Sequence, residues 1–204
     1  MFRVSVSSPL LGGYDVPETL SYQIDLNCPI GADVRQVGNL GMAAAKALSA
    51  IGYRVKGLAR RQKDVDGISI YTAEKMNEFL DGVEILISML PGTPETENII
   101  DADTIAKLPE GAWVINVGRG SQVHDDDLLK GLDSGHLGGA VLDVFRSEPL
   151  PEGHAFWGHP KILITSHTAS AIEAAVGGQI IADNIRRFAA GDEVPDMVDL
   201  AQGY

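Results

Sequence analysis

From Gly38 onward the chain alternates short apolar runs with amphipathic stretches, and this rhythm restricts the fold more than any other feature. "YRVKGLA", "VEILISML", "AWVINV", "GAVLDV" and "KILIT" read as strands. "TAEKMNEFL", opened by Thr72, "DADTIAKL" and "DDDLLKGLDSG" read as helices, and Ala169 to Ala190 as a long final helix. Short, nearly all-apolar strands are buried on both faces, and helices between them allow the strands to lie parallel. The expected architecture is an α/β, doubly wound parallel sheet covered by helices. Such a sheet binds ligands beyond the carboxyl ends of its strands, where the loops after Val37, Leu58, Leu90, Val117 and Val144 converge.

The stretch "DVRQVGNLGMAAAKAL", Asp33 to Leu48, opens this region with part of a glycine fingerprint. Gly38 and Gly41, with Asn39 and Leu40 between them, match the last two glycines of a G-x-G-x-x-G loop, but Gln36 stands where the first belongs. Free N–H groups at a helix start, together with the helix dipole, hold a pyrophosphate, and Gly38 lets backbone approach it closely. The bland alternative is an ordinary strand–helix turn. Upstream, Asp33, Arg35 and Gln36 place polar groups in or beside a strand that should be central and apolar, where unpaired charge is costly. About twenty residues beyond the loop, a unit that binds NAD usually carries an acid for the ribose hydroxyl. Here the chain has Arg60, Arg61 and Lys63. Those cations attract a 2′-phosphate and favour NADPH over NADH, against the alternative of a solvated basic turn.

Composition narrows the partners. A formal net charge of −12 disfavours nucleic acid and anionic membrane surfaces. No apolar run reaches the roughly 18 residues of a membrane span, and "MFRVSVSSPL" lacks the pattern of a secretory signal. The lone Cys28 has no partner for an internal disulfide. These features predict a cytoplasmic location.

Three ordered segments carry the most specific signal: "NVGRG", "DVFRSEPL" and "SHTA". With "LPGTPETENII", they resemble the D-2-hydroxyacid dehydrogenase family, and the resemblance runs from Gly38 to the C-terminus. The basic cluster and the ending "VDLAQGY" are most similar to its glyoxylate/hydroxypyruvate reductase branch. The resemblance implies a Rossmann-like domain and hydride transfer from NADPH, with NADH the lesser alternative, to a small 2-oxo acid. By the same resemblance, Arg119 clamps the substrate carboxylate and polarises the carbonyl. His167 is the general acid for the carbonyl oxygen. Glu148 is the carboxylate partner of that histidine, and negative charge beside an imidazole stabilises its protonated form. Asp143 contacts the nicotinamide carboxamide, while Leu90, Pro91, Thr96, Val117 and Gly118 run along the cofactor. Ser166 departs from the proline that usually precedes the histidine.

Taken singly, these residues have plainer readings: a structural histidine, a surface glutamate, an arginine in an ion pair. Asp125 to Asp127 open a helix, where carboxylates offset the positive dipole end, so they are not read as metal ligands. His154 and His159 flank Trp157 in what reads as a surface loop without an acidic partner at ligand spacing; no metal site is expected. Family members usually pair through their nucleotide-binding domains, which makes a homodimer the expected assembly, with Phe156 and Trp157 available to face a partner.

The expected organisation is an unassigned segment 1–37, a dinucleotide-binding domain 38–190 and a tail 191–204. Segment 1–37 matches no part of the family's substrate domain and reads as a remnant of it, the rest being absent or truncated; residues 1–36 are expected to be poorly ordered or attached in a non-family way. Two functional classes follow: a reductase of glyoxylate, hydroxypyruvate or a similar 2-oxo acid, or a non-catalytic NAD(P)-binding fragment.

Overall fold

The computed structural model describes residues 37–59, 62, 64–169, 174–195 and 197. Eleven elements follow in chain order: α1 (Val37–Ala50), β1 (Val55–Leu58), β2 (Ile68–Tyr71), α2 (Met76–Leu80), β3 (Ile85–Ser88), α3 (Ala102–Lys107), β4 (Ala112–Asn116), α4 (Asp125–Asp133), β5 (Leu137–Leu142), β6 (Ile162–Ile164) and α5 (Ala174–Ala190). All strand pairings in the named ladders are parallel: β1 with β2, and β3–β4–β5–β6 in that order. Among the described residues no ladder joins the two sets. Residues 1–36 lie outside the described residues, and with them the expected polar strand "ADVRQV" except for Val37, which begins α1 rather than ending a strand. Apolar contacts bridge the two sets. Ile87 and Met89 pack with Ala45, Val55 and Ile68, and Leu58 joins the core of Phe79, Leu86 and Val114. This is the parallel α/β architecture that the strand–helix rhythm predicts.

Local chemistry explains most of the elements. The α3 helix starts where Asp101 Oδ1 accepts the Thr104 N–H at 2.9 Å, which satisfies one orphan donor of the first turn. Three aspartates, Asp125–Asp127, occupy the first turn of α4, as the sequence predicts, while Leu128 and Leu132 face the core. Lys56 projects from β1 onto the C-terminal carbonyls of α2, donating to Glu78 O at 3.0 Å and Asp81 O at 2.6 Å. In β5, Gly139 makes room for an indole: a Cβ there would lie 2.5 Å from Trp113 of β4.

Several expectations change. Residues 73–80 form a 3₁₀ turn, Ala73–Lys75, followed by the short α2, and the Thr72 side chain makes no capping bond. The strand β2 is additional; its exposed Ser69 and partly exposed neighbours break up the apolar run. Phe156 is 3 % exposed and belongs to the core, so it does not face a partner; Trp157 is 53 % exposed. His154 and His159 do have acidic partners, because the loop lies against α4: His154 Nε2 is 3.4 Å from Asp125 and His159 Nε2 is 3.3 Å from Asp133. The final helix is described from Ala174, and among its described residues none is buried.

Candidate active site

The carboxyl ends of β3, β4, β5 and β6 place four loops side by side. After β4, "VGRG" turns so that Arg119 is exposed while Gly118 is buried. The approach is close: a Cβ at Gly118 would lie 2.8 Å from the Leu90 backbone, and one at Gly92 would lie 3.3 Å from Arg119 Cγ. The Arg119 main chain is held at both ends by buried amides. Asn116 Nδ2 donates to Arg119 O at 2.9 Å, and Gln122 Oε1 accepts the Arg119 N–H at 3.2 Å. Its guanidinium bonds Gly118 O at 2.7 Å through Nη1.

After β5 comes "DVFRSEP". Glu148 Oε1 accepts the Phe145 N–H at 2.9 Å, and Glu148 Oε2 lies 2.8 Å from Nδ1 of His167. That backbone bond, then the contact with His167, holds the Glu148 carboxyl below its ordinary range. Arg146 also braces the neighbouring loop, donating to Ser121 O at 3.0 Å and to Val123 O at 2.6 Å.

The loop after β6 is fastened by Asp143. Its Oδ1 accepts from the Thr165 hydroxyl and from the Thr168 N–H at 2.9 Å, and its Oδ2 accepts the Ala169 N–H at 3.0 Å. The Asp143 carbonyl accepts the His167 N–H at 2.8 Å. Burial raises the Asp143 carboxyl, but the three hydrogen bonds outweigh it and leave the group below its ordinary value. His167 has φ +53°, in the left-handed region that a non-glycine residue occupies only when its surroundings enforce it. Ser166 precedes it, and the Asp143 hydrogen bonds fasten the loop on both sides of the histidine.

The structure thus brings Arg119, Glu148 and His167 together, with Asp143, Val117 and Gly118 beside them. Leu90 is buried, and Pro91 heads the adjoining turn. Thr96 lies beneath that turn, 5 % exposed, its hydroxyl donating to Pro91 O at 2.7 Å. Gly38, Asn39, Leu40 and Gly41 fall within the first turns of α1, with Gly41 buried. No acidic residue occurs in the first turn of α1, so the donor chemistry there suits an anion and fits a cofactor pyrophosphate. Arg60, Arg61 and Lys63 lie outside the described residues. Sequence reasoning passes over Gln122 and Thr165; the available signal is a glutamine three residues after Arg119, just before a buried valine.

Comparison with known proteins agrees with this arrangement. Residues 34–169 match the model for "D-isomer specific 2-hydroxyacid dehydrogenase, NAD binding domain". A glyoxylate/hydroxypyruvate reductase A of Serratia proteamaculans is 42 % identical over 168 residues, covering 82 % of this chain and 54 % of that protein. A D-isomer specific 2-hydroxyacid dehydrogenase from Xanthobacter autotrophicus Py2, solved with NADPH and MES, superposes with a TM-score of 0.83 at 38 % identity, covering 94 % of this chain and 77 % of that one. An NADPH-dependent glyoxylate/hydroxypyruvate reductase from Sinorhizobium meliloti, solved with NADP and sulfate, gives 0.83 at 33 % identity, covering 94 % and 60 %. The chain spans about half the length of the curated relatives it matches. It belongs to the D-isomer specific 2-hydroxyacid dehydrogenase family, and what it shares with that family includes the NAD-binding domain.

Proposed function

We propose that this protein reduces a small 2-oxo acid of the glyoxylate or hydroxypyruvate type to the D-2-hydroxy acid, with NADPH as the preferred cofactor. The observation that carries the reading is the 2.8 Å contact between His167 Nδ1 and Glu148 Oε2, on loops adjoining Arg119. NADPH, when bound, supplies the hydride. In this reading α1 holds the pyrophosphate at Gly38 and Gly41, the Arg60–Arg61–Lys63 cluster takes the 2′-phosphate, and the 90–91 and 117–118 turns line the cofactor. Asp143 keeps its nicotinamide-side role and also latches the His167 loop.

Arg119 grips the substrate carboxylate with its planar fork, fixing the carbonyl relative to the 90–92 turn. Glu148 remains ionised and takes the Nδ1 side of His167, so the ring presents Nε2 as the proton donor to the carbonyl oxygen. The pairing orients the imidazole and fixes which ring nitrogen faces the substrate.

The unit 38–190 is the cofactor-binding domain in this reading, and the protein is a cytoplasmic homodimer that takes a small-molecule substrate. The competing reading is a non-catalytic nucleotide-binding module. Titration with NADPH and with NADH, followed by glyoxylate and hydroxypyruvate turnover, separates the two. Tighter NADPH binding with turnover supports the reductase; binding with no rate on any 2-oxo acid supports the module.

A further inference from the structure

Gln122 is a polar side chain with 0 % exposure, and the chemistry above gives it no part. All its principal hydrogen-bonding positions are filled. Its Nε2 donates to Leu90 O at 2.7 Å and to Pro91 O at 3.2 Å. Its Oε1 accepts from the Ser88 hydroxyl at 2.7 Å and from the Arg119 N–H at 3.2 Å. Carbonyl oxygens only accept and a peptide N–H only donates, so a single orientation of the amide satisfies the set. A Cβ at Gly118 would lie 2.5 Å from Gln122 Oε1, so the loop bearing Arg119 rests directly on this amide.

We propose that Gln122 is a positioning residue that fixes Arg119 against the 90–92 turn and so sets the spacing between the carboxylate clamp and the cofactor side of the cleft. Its effect on turnover rests on the reductase reading; its effect on the two loops rests on geometry alone. An apolar residue at 122 leaves the Arg119 N–H without its partner. An ionised glutamate sets acceptors against the Leu90 and Pro91 carbonyls. A protonated glutamic acid regains one donor and keeps an acceptor for Arg119.

The test uses the full chain, wild type beside Gln122→Met and Gln122→Glu. Three quantities are read: amide hydrogen exchange, NADPH affinity, and glyoxylate kcat and KM per folded molecule. For Gln122→Met, exchange rises in segments 88–92 and 118–122 but not in β1, β2 or α3. NADPH binding weakens severalfold, KM for glyoxylate rises, and kcat/KM falls by about a hundredfold, the scale of a misplaced binding group. Gln122→Glu shows the same defects at alkaline pH and recovers toward wild type at mildly acidic pH, which Gln122→Met does not. Exchange that rises uniformly across the domain, or loops and kinetics that stay as in wild type, overturns the proposal. A wild-type chain without turnover sinks the reductase reading, while exchange and NADPH affinity still decide the role of Gln122. Should Gln122→Met not fold, Ser88→Ala takes its place, since it removes one donor and leaves the other three bonds. A smaller rise confined to the same two segments supports the proposal, and no change there refutes it.

Discussion

His167 and Asp143 give the sharpest consequences among single residues. Removing the imidazole with His167→Ala takes away the proton donor without touching the cofactor walls. Steady-state kinetics should show kcat lower by about 10²–10⁴-fold, with NADPH affinity retained; an unchanged kcat would remove His167 from the chemistry. Asp143→Ala leaves the Thr168 and Ala169 N–H groups without their carboxylate. Denaturant unfolding should register a loss of about 1.5–3 kcal/mol, the scale of hydrogen bonds to a charged group. The pH dependence has a definite sign. A carboxyl whose folded-state value is depressed contributes stability above its unfolded value of about 4, and that contribution is lost as pH falls through the folded value. Wild type should therefore lose stability in acid below about pH 4 more steeply than Asp143→Ala. That Arg119, Glu148 and His167 gather on neighbouring loops is legible in the sequence because each sits in a short ordered motif. Gln122 is not, since one buried glutamine announces nothing until its four partners, drawn from the end of β3 and two loops, are assembled around it.

At the scale of elements, the sheet depends on close backbone packing as much as on apolar bulk. Gly139 lies under the Trp113 ring, where a Cβ would meet ring atoms at 2.5–2.8 Å. Gly139→Val should cost about 1–3 kcal/mol in thermal or chemical unfolding, the usual range for overpacking. Adding Trp113→Leu should restore part of the loss, and no restoration would place the strain elsewhere. The strands β3 to β6 were readable because their runs are apolar and bounded by polar turns. The strand β2 was not, because "ISIY" is brief and carries Ser69 on its exposed side. Helix α2 is shorter than its sequence pattern predicts, for a related reason. The apolar positions Met76, Phe79 and Leu80 suit a helix, but one that short draws its stability from packing, and residues 73–75 tighten into a 3₁₀ turn instead.

Across the whole molecule, the long helix α5 stands apart from the packed sheet. Val176, Ile180, Ile181, Ile185 and Phe188 are between 51 % and 76 % exposed, and none of the described residues of α5 is buried. Substituting Ile181 and Phe188 by glutamate should leave unfolding free energy within about 0.5 kcal/mol, as for surface positions. It should also lower binding of a hydrophobic dye; a collapse in stability would mean that this stripe is packed in solution. The strand rhythm is enough to anticipate a parallel α/β molecule, but it carries no information about what lies against this stripe. The two tryptophans sit in unlike surroundings: Trp113 is stacked over glycines in the sheet, while Trp157, its indole N–H donating to Pro151 O, stands 53 % exposed. That contrast makes the protein its own optical instrument. Iodide quenches the outward indole selectively, and the residual, bluer emission then comes from β4, the strand that leads to Arg119.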